Sequence, residues 1–188
     1  MDQDNTPSKI VLGIDPGTNI MGYSIVDVSN EPLQVLSFGV IDLRKFSNHY
    51  LKLAYIYDRT KMLVEQYNPD ELAIEAPFFG KNVQSMLKLG RAQGVAMAAA
   101  LSYKIPIFEY APLKVKLAIT GSGRASKEQV ATMLLKFYGI EEEPSFLDAT
   151  DALAVATCHY FQSKQIHFGK RGGSSWSDFV KKNPDKII

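Results

Sequence analysis

KIVLGIDPGTNIMGY, residues Lys9 to Tyr23, decides how the rest of the chain is read. Its apolar run, Ile10, Val11, Leu12 and Ile14, predicts a buried strand. The run delivers one carboxylate, Asp15, and breaks at once into Pro16-Gly17-Thr18, residues of turn chemistry. A buried strand that ends in an acid at a tight turn sets that acid at the rim of a sheet. The same grammar returns in ELAIE, Glu71 to Glu75, an apolar strand closed by Glu75 ahead of the loop Ala76-Pro77-Phe78-Phe79-Gly80.

Between these two strands, Gly22 to Val28 and Leu33 to Leu43 read as strands, separated by Asn30-Glu31-Pro32. Three strands with short connections predict an antiparallel meander. From Phe46 to Tyr67 the apolar period becomes helical, and Asn68-Pro69 stops it. A long helix is expected over Asn82 to Tyr103 and a fifth strand over Ile105 to Tyr110. A short helix runs from Pro112 to about Ile119, a Ser126-capped helix from Lys127 to Tyr138 before Gly139, and a last helix from Phe146 to Gln162. The sum is an α/β fold: a five-stranded mixed sheet, an antiparallel meander of strands 1–3 followed by parallel strands, flanked by helices. Asp15 and Glu75 then lie at the same end of neighbouring strands, where open α/β sheets gather their ligands. Asp148 and Asp151, three residues apart, share one face of the last helix and can meet the strand acids there.

A chain of 188 residues fits one domain, expected over residues 9–164, with a flexible N-terminus at 1–8 and a flexible basic tail at 165–188. The hydrophobic fraction of 46% and charged fraction of 22% are those of a soluble globular protein. Cys158 is the single cysteine, which excludes an internal disulfide framework and a cysteine-based zinc site. Met1 to Ser8 has no apolar signal core, and no apolar run reaches membrane-spanning length, so a reducing cytoplasmic setting is expected. The net charge of +1 conceals a polarised distribution. Residues 76–127 carry eight basic residues against the single acid Glu109, a balance of +7 that leaves −6 for the remainder. Such a block reads either as a cationic face for a polyanion or as a set of solvated helix faces.

Four acids gathered at one spot repel one another unless something positive sits among them. Magnesium, a hard cation, favours a few carboxylates together with water and substrate phosphate. Two such ions about 4 Å apart activate an attacking water and stabilise the leaving oxygen of a phosphodiester. In that arrangement Asp15 bridges both ions, Glu75 holds one, and Asp148 with Asp151 holds the other; manganese substitutes. Singly, each acid has a plainer role: a turn cap for Asp15, a strand-end charge for Glu75, helix N-terminal charges for Asp148 and Asp151. The repeated strand grammar favours the joint role. Phe78 and Phe79 sit beside Glu75, where one exposed ring can stack on unpaired bases while the other is buried. Lys116, Lys127 and Arg124 surround the loop Gly121-Ser122-Gly123, whose backbone can approach phosphates, and Lys81 follows the aromatic pair. Gly90 and Gly94, four apart in an alanine-rich helix, permit close approach of the sheet beneath or of a partner subunit. Tyr110, Cys158 and His159 read as core or surface residues.

IVLGIDPGTNIMGYSI, LAIEAPFFGKN, LKLGRAQGVA, IFEYAPLKVK and DATDALAVA resemble, in order, the successive motifs of RuvC-type Holliday-junction resolvases, from about Lys9 to about Tyr160. The resemblance implies a ribonuclease-H-like fold and a homodimer. It also implies magnesium-dependent paired nicks across four-way DNA junctions during recombination and repair, alongside the RuvA–RuvB branch-migration complex. It puts the family's catalytic acids on Asp15, Glu75, Asp148 and Asp151, its junction-contacting aromatic on Phe78 and its functional lysines on Lys116 and Lys127. The family often has Gln-Val after the second acid where this chain has Ala76-Pro77. Two other readings are weighed. Asp-x-Gly-Thr after a strand also resembles the phosphate loop of actin-like and sugar-kinase ATPases, which need a second such domain. A junction-binding module without catalysis would have no call for all four acids.

Overall fold

Alternation along β1 (Ile10–Asp15) sorts the whole core into two layers. Val11 packs with the helices of one face and Leu12 and Ile14 with those of the other, all fully buried. The computed structural model describes residues 9–77, 82–141 and 147–171. β1 pairs antiparallel with β2 (Ile20–Asp27), which pairs antiparallel with β3 (Gln34–Asp42). On its other side β1 pairs in parallel with β4 (Glu71–Glu75), and β4 with β5 (Ile107–Tyr110). The strand order is β3-β2-β1-β4-β5, the expected meander followed by parallel strands.

α1 (His49–Tyr67) and α2 (Val83–Leu101) cover the face that carries Leu12, Ile14, Leu72 and Ile74. The opposite face receives α3 (Pro112–Thr120), α4 (Lys127–Tyr138) and α5 (Leu147–Arg171). The predicted limits hold best for α4, where Ser126 and Gln129 close a reciprocal capping box and Gly139 takes the left-handed φ of 64°. α1 begins at His49 rather than Phe46, because the Asn48 side chain caps it by accepting from the Tyr50 N–H. α5 runs to Arg171, nine residues beyond the expected Gln162. The residues 172–188 of the expected tail, and the N-terminal 1–8, lie outside the described residues.

α5 seats directly on β1 and β2, and two glycines permit it. A Cβ on Gly22 would stand 1.9 Å from the Asp148 carbonyl oxygen, and one on Gly13 would stand 2.4 Å from that of Ala152. Ala149, Ala152 and Ala156 keep the helix side of this contact equally thin and are buried. The Ser24 hydroxyl then donates 2.9 Å to the Ala152 carbonyl, a buried tie between β2 and α5. Farther along the helix, His159 lies with Nδ1 2.7 Å from the Tyr110 hydroxyl and Nε2 2.6 Å from Glu71 Oε2. His159, Tyr110 and Cys158 are all buried, as core residues should be. Among the described residues no helix is long and apolar enough to cross a membrane.

A methyl group at residue 22 cannot be absorbed by a side-chain shift, because the nearest atoms are backbone. Gly22→Ala is expected to push α5 off the sheet and cost about 1–3 kcal/mol. That corresponds to a thermal midpoint lowered by roughly 2–4 °C per kcal/mol for a chain of this size. Calorimetry of the variant beside the parent protein checks it.

Candidate active site

Asp15 ends β1 and Glu75 ends β4. Ile14 pairs with Ile74, so the next residue on each parallel strand leaves the sheet beside its neighbour. Asp15 continues the row Val11–Gly13, and Glu75 continues the row of Ala73, both on the face that α5 covers. α5 contributes Asp148 from its first turn and Asp151 three residues on. One carboxylate oxygen from each of Asp15, Asp148 and Asp151 lies within 4.8 Å of the other two. Glu75 flanks this trio closely enough for its charge to act on Asp15 and for that of Asp151 to act on it.

The assembly is electrostatically uncomfortable. Burial pushes the Asp15 carboxyl well above the usual carboxylate range, and Glu75, Asp151 and Asp148 push it further against the pull of Lys127. Burial first, then Asp151, move Glu75 from an ordinary 4.5 to about 7, with Lys127 and Lys116 opposing. Burial also raises Asp151, although Lys127 donates a hydrogen bond to its Oδ2. Burial works against the Lys127 charge, yet that bond and the surrounding acids raise its pKa. Three half-buried carboxylates at this spacing make a hard-oxygen donor set that suits a divalent cation.

The other expected residues fall in several places. Lys116 and Lys127 line, with Glu75, Pro112 and Asp151, a cavity of about 250 Å³ beside the acids. Arg124 is exposed on the wall of a separate depression of about 530 Å³, shared with Thr120, Ser122, Glu128 and Gln129. Phe78, Phe79 and Lys81 lie outside the described residues. In α2 the small residues divide: Ala92, Ala96 and Ala100 are buried in the core beneath the sheet and Ala99 is buried too, while a Cβ at Gly90 or Gly94 would meet open space. Val83, Leu87 and Leu101 on the same helix are exposed by 65%, 51% and 56%, leaving an apolar stripe uncovered.

Two contributions were not anticipated. Gly13 and Gly22 set the depth of α5, and glycine inside a strand pattern is the available sign of such close approach. Lys52, from α1, donates from Nζ to the Thr18 carbonyl at 2.9 Å and to Asn19 Oδ1 at 2.8 Å. It thereby holds the turn that follows Asp15, and nothing in the helical pattern distinguishes it from other lysines.

The model describing the crossover junction endodeoxyribonuclease RuvC matches residues 11–159. The chain belongs to the RuvC family. A RuvC from Bacteroides fragilis is 61% identical over 95% of this chain and 96% of its own length. One from Cytophaga hutchinsonii is 58% identical over 97% of this chain and 90% of its own. Among solved structures, Thermus thermophilus RuvC in complex with a Holliday junction substrate superposes with a TM-score of 0.78. It shares 30% identity and covers 84% of this chain and 96% of its own. The ribonuclease-H-like frame expected of a RuvC protein is thus present, and the acid trio stands at the carboxyl edge of its sheet.

The raised Glu75 pKa has a definite sign for stability. Below about 4.5 the folded and unfolded chains both hold the proton. Between 4.5 and about 7 the unfolded chain releases it first, so stability falls as pH rises through that window. In chelator, thermal midpoints measured from pH 5 to pH 8 are expected to fall for the parent and to fall less for Glu75→Gln. Equal slopes would show that the Glu75 charge carries no such cost.

Proposed function

We propose that this RuvC chain is a structure-selective endodeoxyribonuclease that resolves four-way junctions by paired, symmetric phosphodiester hydrolysis in recombination and repair. The observation that carries the reading is the convergence of Asp15, Asp148 and Asp151 beside Glu75 at one sheet edge. We assign the catalytic and metal-holding roles to these four acids, with magnesium as the cation and manganese as its substitute. Bound there as a pair, such ions would activate water and stabilise the leaving oxygen.

The residues of the chain do the remaining work. Asp15, central in the cluster and rigid at a strand end, presents its carboxylate between the strand acid and the helical pair. Asp148 and Asp151 approach from one helix face, at a depth fixed by the Gly13 and Gly22 contacts. Glu75, with a pKa of about 7, still holds part of its proton near neutral pH, and added positive charge favours its release. Lys127 neutralises Asp151 and, with Lys116, lines the cavity through which a phosphate would approach the acids. Phe78, Phe79, Lys81 and Arg124 are assigned to DNA contact on their sequence positions.

Symmetric nicks need two active sites, which a two-fold dimer supplies. The uncovered stripe of α2, with Val83, Leu87 and Leu101 around Gly90 and Gly94, supports this helix as the subunit contact. A cytoplasmic setting and cooperation with RuvA–RuvB complete the proposal, on family resemblance.

A synthetic four-way junction and a linear duplex of the same sequence, each with and without magnesium, test the reading. Symmetric nicks in the junction alone, and with magnesium alone, are expected; equal cutting of linear duplex would sink the claim of structure selectivity. Asp15→Asn, Glu75→Gln, Asp148→Asn and Asp151→Asn are each expected to abolish nicking while junction binding persists in gel shifts. Gly94→Glu, at an exposed helix position, is expected to leave a folded monomer in sedimentation and to uncouple the two nicks.

A further inference from the structure

A second group of like charges stands at the same sheet edge, on the α1–α2 side, and the acid site does not use it. Lys52 lies one turn into α1 beyond His49, and Lys88 and Arg91 lie three residues apart on α2. α1 and α2 pack on the same face of the sheet, and the charges of all three act on His49. Burial, then the charges of Arg91, Lys88 and Lys52, hold its imidazole below the ordinary pKa. Its Nε2 is buried without a hydrogen-bond partner. The imidazole is therefore neutral near pH 7, and the three cations around it receive no compensation from it.

The stretches of chain that carry them hold no acids of their own. α2 contains no aspartate or glutamate, and residues 43–57 contain none either. Lys88 and Arg91 are exposed and form no ion pair among the described residues. Lys52 spends its hydrogen bonds on two neutral oxygens, those of Thr18 and the Asn19 side chain, rather than on an acid. The amino end of the 19-residue helix α1, with no acid in its first turn, adds the positive pole of its dipole to the same place.

Position gives this charge its meaning. Lys52 grips the turn three residues past Asp15, so the group abuts the acid site. α1 and α2 cover the face opposite to that of α3, α4 and α5, which carry Lys116, Lys127 and the helical acids. We infer that Lys52, Lys88 and Arg91, gathered round His49, form a second DNA-backbone surface that holds the phosphates of a junction arm on the far side of the sheet edge from Lys116 and Lys127. Cations that form no ion pair among the described residues, standing beside a cluster of acids, suit a polyanion whose scissile phosphate enters the acids while its flanking phosphates rest on either side. The inference rests on the nuclease reading for the identity of that polyanion as junction DNA.

The test is the salt dependence of junction binding by the full-length protein in calcium-free chelator, which prevents cutting. Each phosphate contact contributes about 0.9 to the slope of log affinity against log salt. The double variant Lys88→Gln, Arg91→Gln is expected to bind more weakly, with a slope shallower by about 1.8. Its deficit against the parent then shrinks by roughly tenfold between 50 and 200 mM salt. The exchange Lys88→Arg, Arg91→Lys, which keeps both charges, is expected to restore the slope. Lys61→Gln with Lys104→Gln, the same loss of charge elsewhere, is expected to leave it at the parent value. A Lys88/Arg91 slope equal to the parent's, or a control that falls as far, overturns the surface. Failure of the nuclease reading is seen separately, as a parent protein that does not nick the junction when magnesium is supplied.

Discussion

The depth at which α5 sits on the sheet governs the rest of the structure. Two acids come from strand ends, whose spacing is set by the parallel pairing of β1 and β4. The other two ride on a helix, which has no ladder of hydrogen bonds to fix its register on a sheet and finds its place by packing and a few side-chain bonds. Gly13 and Gly22 remove the atoms that would hold it away, buried alanines thin its own side, and the Ser24 hydroxyl fixes its position along the strand direction. The His159 contacts with Tyr110 and Glu71 secure the same helix farther along. Carboxylates that repel one another are thereby held together largely by backbone packing outside the cluster, and a stiff backbone absorbs the cost that a flexible site would relieve by spreading.

Much of this was legible because the decisive signals are local. Short continuous apolar runs ending in an acid identify β1 and β4, short connections identify the meander, and Ser126 with Gly139 brackets α4 to the residue. The convergence of Asp15, Asp148 and Asp151 followed from strand direction and helical spacing without any pairwise information. What escaped is non-local or compositional. The Ser24 to Ala152 bond joins residues 128 apart, and a glycine in a strand does not announce which helix will lie on it. Lys52 reads as one more solvated lysine until the turn it holds is in view. The last helix was expected to stop where the composition thins toward Gly, Ser and Lys. Gln165 to Arg171 nevertheless continue α5, since no proline interrupts the backbone there. The stretch of small residues in α2 does not say which of them face inward: the alanines Ala92, Ala96 and Ala100 join the core, while Gly90 and Gly94 face open space.

The charge pattern has a simple layout once the two faces are distinguished. The net charge of +1 describes neither. Acids occupy the carboxyl edge of the central strands, and cations stand on both helical layers beside it. Such an arrangement narrows the ways a polyanion can lie, because only a backbone crossing the edge meets positive charge before and after the acids. Electrostatics of this kind orients a substrate before any close contact forms, and its reach shortens with salt to about 8 Å at physiological ionic strength.

Lys127 lends the site a further property. Its ammonium already occupies one oxygen of Asp151, so the acids are never a bare trap for whatever cation is at hand. A divalent ion held by these acids would have to compete with this tethered ammonium, whose local concentration does not change with the surrounding solution. Lys127 also lines the cavity it shares with Lys116, so an ammonium released from Asp151 would remain beside the acids. One ion pair would thus set a threshold for filling the site, which weakly held cations would not pass.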